Sequence, residues 1–420
     1  MFNIPDLSTL LSQHLHDDVQ QLALQRNRFP HLSDADFRFF LQQVEGRQRT
    51  RDKLPTLAQK ADWWYPVRLS CEQCSSEATA CYKTQIIQSF NSQPSTFDTF
   101  IDLTAGYGID TFFMAQHAEQ AHYVERNAEL CAIAEHNFSL YRPHIQIHNT
   151  TAEAFLASLP HHPLAQRPIG GTPSNSTASH TPYPISHTLI YLDPARRSQS
   201  GGKVFRIEDC EPNVIDLLPT LRKHASHIMI KFSPMLDITA ALRALGKDWD
   251  THIVAVHNEV KEVLLTTGTN TIHAVNICAA HTDRFVFSHE DEKNAPMQIA
   301  SHIEQYIYEP NAAIIKAGAF RLVGERYGLQ KLDTNTHLYT SSTLLPDFPG
   351  RVWEVIDAEL KDPKKQLDAQ AKYSIISRNH PLVPEQIRKK YKLHDGDDYY
   401  LLAARHQGKP ILISAKRLRR

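Results

Sequence analysis

Between residues 87 and 280, short apolar β-prone runs alternate with stretches of helical period, the pattern of a doubly wound parallel sheet. The strand candidates are 97–103, 121–125, 144–148, 188–192, 226–232, 251–257 and 271–279. The last two flank a further β-rich piece, 263–267, and the turn Gly268-Thr269-Asn270. They are therefore expected to form a hairpin that closes the sheet with an antiparallel strand. The first 85 residues read as helical, with amphipathic spacing over 10–22 and 37–44 and a break at Pro30; Ser75 and Ser76 stand where they can cap the next helix. Beyond 281, a helix at 297–308 among short strands predicts a small α+β module. The last 70 residues predict a second, with strands at 352–357 and 373–377, a helix from Pro384 to about Tyr391, and a hairpin of 399–405 with 410–414 around Gln407-Gly408. The segments are thus 1–85, 86–280, 281–350 and 351–420. Residues 159–187, rich in Pro, Ser, Thr, Gly and His and without an apolar period, read as a flexible surface insertion in the α/β domain.

Composition narrows the class. A chain of 420 residues is too long for one ordinary core, and 41% hydrophobic with 22% charged residues is the balance of a soluble globular protein. The N-terminus lacks the basic and apolar regions of a signal peptide, and no run approaches the roughly 20 apolar residues that span a bilayer. Six cysteines in such a length are no disulfide framework, so a cytoplasmic protein is expected. The net charge of −1 hides an asymmetry: residues 351–420 carry 16 Lys and Arg against 9 Asp and Glu. A basic terminal module on an acidic body points to a polyanion.

The chemistry concentrates at 98–127, DTFIDLTAGYGIDTFFMAQHAEQAHYVERN, and at 191–197, YLDPARR. The first strand breaks at Thr104-Ala105-Gly106-Tyr107-Gly108 and a helix begins at Ile109. Such a turn lets backbone approach a ligand closely, and Glu125, ending the next strand, suits both hydroxyls of a ribose. A dinucleotide fold wants a third glycine where Thr111 stands. Asp102 also aims negative charge at the turn, which repels a pyrophosphate and suits the ammonium and sulfonium of S-adenosylmethionine. The expected cofactor residues are Asp102, Thr104, Gly106, Gly108, Asp110, Glu125 and Arg126. In an open α/β sheet, ligands sit beyond the carboxyl ends of the strands, so Asp193-Pro194-Ala195-Arg196, after the fourth strand, faces the same cleft. Asp193 and a backbone carbonyl there can align an exocyclic amine, while Arg196 and Arg197 suit a phosphate or a base face.

DLTAGYGID, YVERN and DPARR together resemble a class I S-adenosylmethionine-dependent methyltransferase. The strings EGRQRTRDKLPTL, YPVRLSCEQCSSEATACYK, DCEPNVIDLLP, IKFSPMLD, HNEVKEVLL and SRNHPLVPEQIRKKYKLHDGDDYYLL make it more particular. They are similar to a bacterial group, typical of Bacteroidetes, with a Rossmann-like catalytic sheet, a ferredoxin-like module and a C-terminal THUMP-like domain. The resemblance runs from about residue 36 to the end, outside 159–187. It implies RNA as substrate, because THUMP modules accompany RNA modification. Two positions depart from the usual pattern: Thr104 replaces the first loop glycine, and Thr151 stands where an adenine-contacting Asp is common. DPAR also resembles the DPPR of uracil carbon-methylating enzymes, but Ser233 occupies the place of their nucleophilic cysteine, which leaves transfer to a nitrogen. A protein or small-molecule acceptor, or an inactive RNA-binding relative, are the other readings.

Other features weigh less. Cys71, Cys74 and Cys81 lack the second ligand pair of a structural zinc site, and no metal is expected. Gln73, Ser75 and Thr79 can cap the methionine end of the cofactor, and Asn258, Glu259, Lys261 and Glu262 can line the substrate side. Lys231 is expected to snorkel beside the cleft without a catalytic role.

Overall fold

In the computed structural model, the described residues are 7–90, 97–159, 187–196, 207–246, 248–368 and 370–418. Nearly all of the expected insertion at 159–187, and Arg197, lie outside them. The chain divides into two compact units, Met1–Trp249 with Val263–Thr267, and Asp250–Glu262 with Gly268–Arg420.

The first unit is built on five parallel strands: β1 (Phe97–Asp102), β2 (Ala118–Glu125), β3 (Ile145–Asn149), β4 (Thr188–Leu192) and β5 (His227–Phe232). Their order is β3-β2-β1-β4-β5, with the crossing point between β1 and β4. All five residues of β4 are buried, as befits a central strand covered on both faces. Residues 263–266 run antiparallel to β5, so an antiparallel strand follows the parallel set as expected. Ile190, Leu192, Ile228 and Ile230 pack with Val214, Leu218 and Leu221 of the helix Val214–His224. The N-terminal segment is helical. Ser33 caps the helix Asp34–Thr50, whose Phe37, Phe40 and Val44 bury against Leu11, Leu22 and Phe29. Ser76 accepts from the Thr79 amide at the start of the helix Glu77–Phe90, which leads towards β1.

Next in the chain, β6 (Trp249–Val256) and β7 (Glu259–Thr267) are joined by His257 and Asn258, both at positive φ (50° and 66°), the backbone of a tight hairpin turn. β8 (Thr271–Ile277) pairs with β6 in parallel, and β9 (Thr282–Ser288) lies antiparallel to β8. The hairpin expected of 251–257 with 271–279 is therefore corrected. The 263–267 piece extends back to Glu259 as the strand β7, and β8 returns in β6's own direction.

The remaining strands are β10 (Tyr306–Pro310), β11 (Gln330–Asp333), β12 (Thr336–Ser341), β13 (Gly350–Asp357), β14 (Lys372–Ser377), β15 (His394–Asp395), β16 (Tyr399–His406) and β17 (Lys409–Leu418). They form one eight-stranded sheet, β11-β12-β10-β13-β17-β16-β14-β15. The helix expected at 297–308 is a second correction. Tyr306–Pro310 is a strand paired on both sides, and the helices that follow it are Ala312–Ala317 and Leu322–Tyr327. Ile307 and Tyr308, both fully buried, fit a central strand better than one helix face.

Candidate active site

β1 ends at Asp102 and the chain turns through 103–108 into the helix Ile109–Met114. Gly106 and Gly108 both hold left-handed backbone, at φ 57° and 81°. A Cβ at Gly108 would lie 2.8 Å from the Phe138 ring and 3.1 Å from that of Tyr123, so this side of the loop is packed. A Cβ at Gly106 would meet only the Thr104 carbonyl, 4.0 Å away. That side is open, and there a ligand can lie against bare backbone. The Tyr123 hydroxyl donates to the Gly106 carbonyl at 2.5 Å. Glu125, at the end of β2, accepts from the Gly106 amide at 2.9 Å and from the Asn127 amide at 2.8 Å. Its carboxylate is held at the loop's edge.

Asp102 is only 1% exposed. One of its oxygens accepts from the Thr104 amide at 3.1 Å, the other from the Thr111 hydroxyl at 2.6 Å. Burial pushes its carboxyl up to about 8, the Asp110 and Asp193 charges add to the rise, and the two hydrogen bonds oppose it. Thr111, which breaks the dinucleotide pattern, thus serves to tie helix to strand.

Asp110 goes the other way. Burial raises its carboxyl, but the Lys83 and Lys231 ammoniums and the hydroxyls of Ser75 and Tyr191 outweigh it and hold the group below the usual range. Lys83 Nζ lies 3.1 Å from one oxygen, and both hydroxyls donate to the other at 2.7 Å. Lys83 is wholly buried. Ser75, expected near the cofactor, is used here, and it also lies 3.3 Å from Lys83 Nζ and 3.4 Å from Lys231 Nζ.

Asp193 follows β4, and its backbone amide donates to the Thr104 hydroxyl at 2.6 Å. The glycine-loop departure therefore has a structural use: Thr104 fastens the DPAR turn to the loop. Lys231, from β5, forms an ion pair with the Asp193 carboxylate. Pro194 is buried, and Ala195-Arg196 pairs with Cys210-Glu211 in a short antiparallel ladder. Arg126 is mostly exposed and its ion pair is with Glu211, at 2.7 Å. Thr151 caps the helix Ala152–Ser158 by accepting from the Ala154 amide.

Sequence reasoning underrated Lys231 and missed Lys83 and Tyr191. The available signal was a lysine inside an otherwise apolar strand, HIMIKF, and another inside the helix Glu77–Phe90. Asn258 belongs to the second unit, where it accepts from the Ala312 amide, and Lys261 pairs with Glu259. Burial, with Cys74 close by, pushes the Cys71 thiol up to about 12, and its Sγ donates to the Pro66 carbonyl, a poor start for a thiolate ligand.

Two family models match the C-terminal part: a ferredoxin-like domain over residues 306–349 and a THUMP domain-like model over 350–417. A crystal structure from Porphyromonas gingivalis W83, described as a methyltransferase, superposes with a TM-score of 0.79 and 30% identity over 98% of both chains. The chain belongs to this methyltransferase family. Two proteins of Mycobacterium tuberculosis, from strains H37Rv and CDC 1551, are named uncharacterized S-adenosylmethionine-dependent methyltransferases. Each is 25% identical over 219 residues, which is 50% of this chain and 58% of theirs. The chain thus spans little more than half the length of these curated relatives. Its loop, open at Gly106 and bordered by the Glu125 carboxylate, fits S-adenosylmethionine. Among the described residues no helix is long and apolar enough to cross a membrane.

Proposed function

We propose that the protein transfers a methyl group from S-adenosylmethionine to a base nitrogen of RNA. The observation that carries this reading is the bond from the Asp193 amide to the Thr104 hydroxyl, which makes the acceptor turn and the cofactor loop one rigid piece. Gly106 and Glu125 hold the nucleoside, Gly108 packs the loop against Phe138 and Tyr123, and Asp102 and Asp110 keep the loop's shape from beneath. The cofactor supplies a methyl carbon on a positively charged sulfur. Asp193 accepts hydrogen bonds from the amine of the base and points its lone pair along the line of transfer. The amine becomes acidic only as the carbon–nitrogen bond forms, so its proton can pass to Asp193 or to solvent without a strong base. Alignment supplies most of the rate. Lys231, through its ion pair, holds the Asp193 carboxylate in place.

The RNA assignment is supported by the THUMP domain-like match over 350–417 and by the excess of Lys and Arg in residues 351–420. Segments 1–85 and 86–280 then form the catalytic part, 281–350 and 351–420 present the substrate, and the work is done in the cytoplasm. The test is to incubate the protein with radiolabelled cofactor and total RNA from cells lacking the gene, then identify labelled nucleosides. A labelled N-methyl base is expected. Label confined to a protein or small-molecule fraction would sink the RNA assignment. Asp193→Ala should abolish turnover and leave cofactor affinity within a few fold by calorimetry; surviving turnover would remove Asp193 from the mechanism.

A further inference from the structure

The turn between β8 and β9 carries Cys278, His281 and Asp283, and one ligating atom from each lies within 4.8 Å of the others. The Cys278 amide donates to the His281 carbonyl at 2.9 Å, closing a four-residue turn that brings the thiol and imidazole together. Asp283 is buried, and its Oδ2 receives the side-chain amides of Asn276 at 3.3 Å and Asn311 at 3.4 Å. Its Oδ1 lies 3.5 Å from His281 Nε2. Asn276 and Asn311 are themselves 4% and 3% exposed, and the Asn276 amide also reaches Cys278 Sγ at 3.3 Å. Two buried amides thus fix one carboxylate oxygen and leave the other turned towards the imidazole.

From this geometry we infer that Cys278, His281 and Asp283 form a site for a borderline transition-metal dication of the zinc class. A thiolate, an imidazole and a carboxylate are the donors such ions take, whereas calcium and magnesium want oxygens throughout. The amides of Asn276 and Asn311 orient the ligands from behind, as partners of metal-binding groups do. Three protein donors leave a coordination position for water. Asn311 also caps the helix Ala312–Ala317, so a bound ion links the β8–β9 turn to that helix within the second unit. The inference is independent of the acceptor on which the enzyme works.

The test uses the full chain, stripped with chelator under reducing conditions and titrated with cobalt(II). One equivalent should bind with a near-ultraviolet thiolate-to-cobalt charge-transfer band, and zinc(II) should displace it. Cys278→Ser should abolish the band, Cys71→Ser should keep it, and His281→Ala should weaken binding about tenfold or more. His281 has an exposed side chain, so its variant decides the matter even if Cys278→Ser fails to fold. No band in the wild-type chain, or a band unchanged in either Cys278→Ser or His281→Ala, overturns the site.

Discussion

The two loop glycines separate stability from binding, because a methyl added at each would point into different surroundings. Gly108→Ala must hold φ 81° and also press on the Phe138 and Tyr123 rings, so a loss of about 2–4 kcal/mol in urea unfolding is expected. Gly106→Ala meets no neighbour closer than 4.0 Å, so it should cost about 1–2 kcal/mol, from the left-handed backbone alone, while cofactor affinity falls by about tenfold or more. Equal affinity losses in the two variants, with no difference in stability, would contradict the assignment of an open and a packed side. Asp102 gives a pH signature. Its folded pKa of about 8 lies above the ordinary carboxyl value, so its contribution to stability is full below about pH 4 and is lost as pH rises through 8. A cationic cofactor favours the ionised form, so calorimetry should show affinity rising between about pH 6.5 and 9 and proton release on binding; Asp102→Asn should flatten that rise. The motif residues themselves were legible from type and spacing. Their partners were not, because nothing in a string says that Thr104 will meet the Asp193 amide 89 residues away.

At the scale of elements, burial pattern separates what could be read from what could not. β4, apolar throughout, declares itself as a central strand, and the glycine turn after β1 marks the entry to a helix. Strand direction is another matter. β8 has the same alternation whether it pairs parallel or antiparallel with β6, and the deciding feature is the His257-Asn258 turn, whose positive φ values neither residue type announces as glycine would. The helix Glu77–Phe90 shows the cost of a buried charge. It carries Lys83 into the core, where its partner is Asp110 on the helix Ile109–Met114. Losing Lys83 takes the paired ammonium from a buried carboxylate, so Lys83→Met should cost about 3–5 kcal/mol. In Lys83→Met with Asp110→Asn the remaining amide can still accept from Ser75 and Tyr191, and the loss should be smaller than for Lys83→Met alone. Denaturant unfolding of the two singles and the double gives the coupling directly. Additive losses would mean that the pair does not act as a unit.

At the scale of the whole molecule, the sequence pattern divides the last 140 residues into two small modules, and the family models divide them at nearly the same place. The strands of both nevertheless belong to one sheet, because β10 pairs with β13 across the dividing point. No local pattern marks that pairing; it joins strands about 45 residues apart that each look like half of a separate unit. The consequence bears on how the proposed RNA recognition is tested. Removing 351–420 would strip β13 from β10 and expose Ile307 and Tyr308, so weaker RNA binding by the shortened chain would report misfolding as readily as a missing RNA-binding surface. Charge reversal on the surface avoids this. Lys389, Lys390 and Lys416 are all exposed, and no ion pair of theirs with a carboxylate occurs among the described residues. With all three changed to Glu, RNA affinity should fall and the slope of log affinity against log salt should flatten by about 0.7–0.9 for each phosphate no longer neutralised. Cofactor affinity, set by the first unit, should stay within about twofold, and the unfolding midpoint should move little, since exposed substitutions of this kind are usually worth under about 0.5 kcal/mol each. An unchanged salt slope with intact folding would place the RNA-binding surface elsewhere than on these lysines.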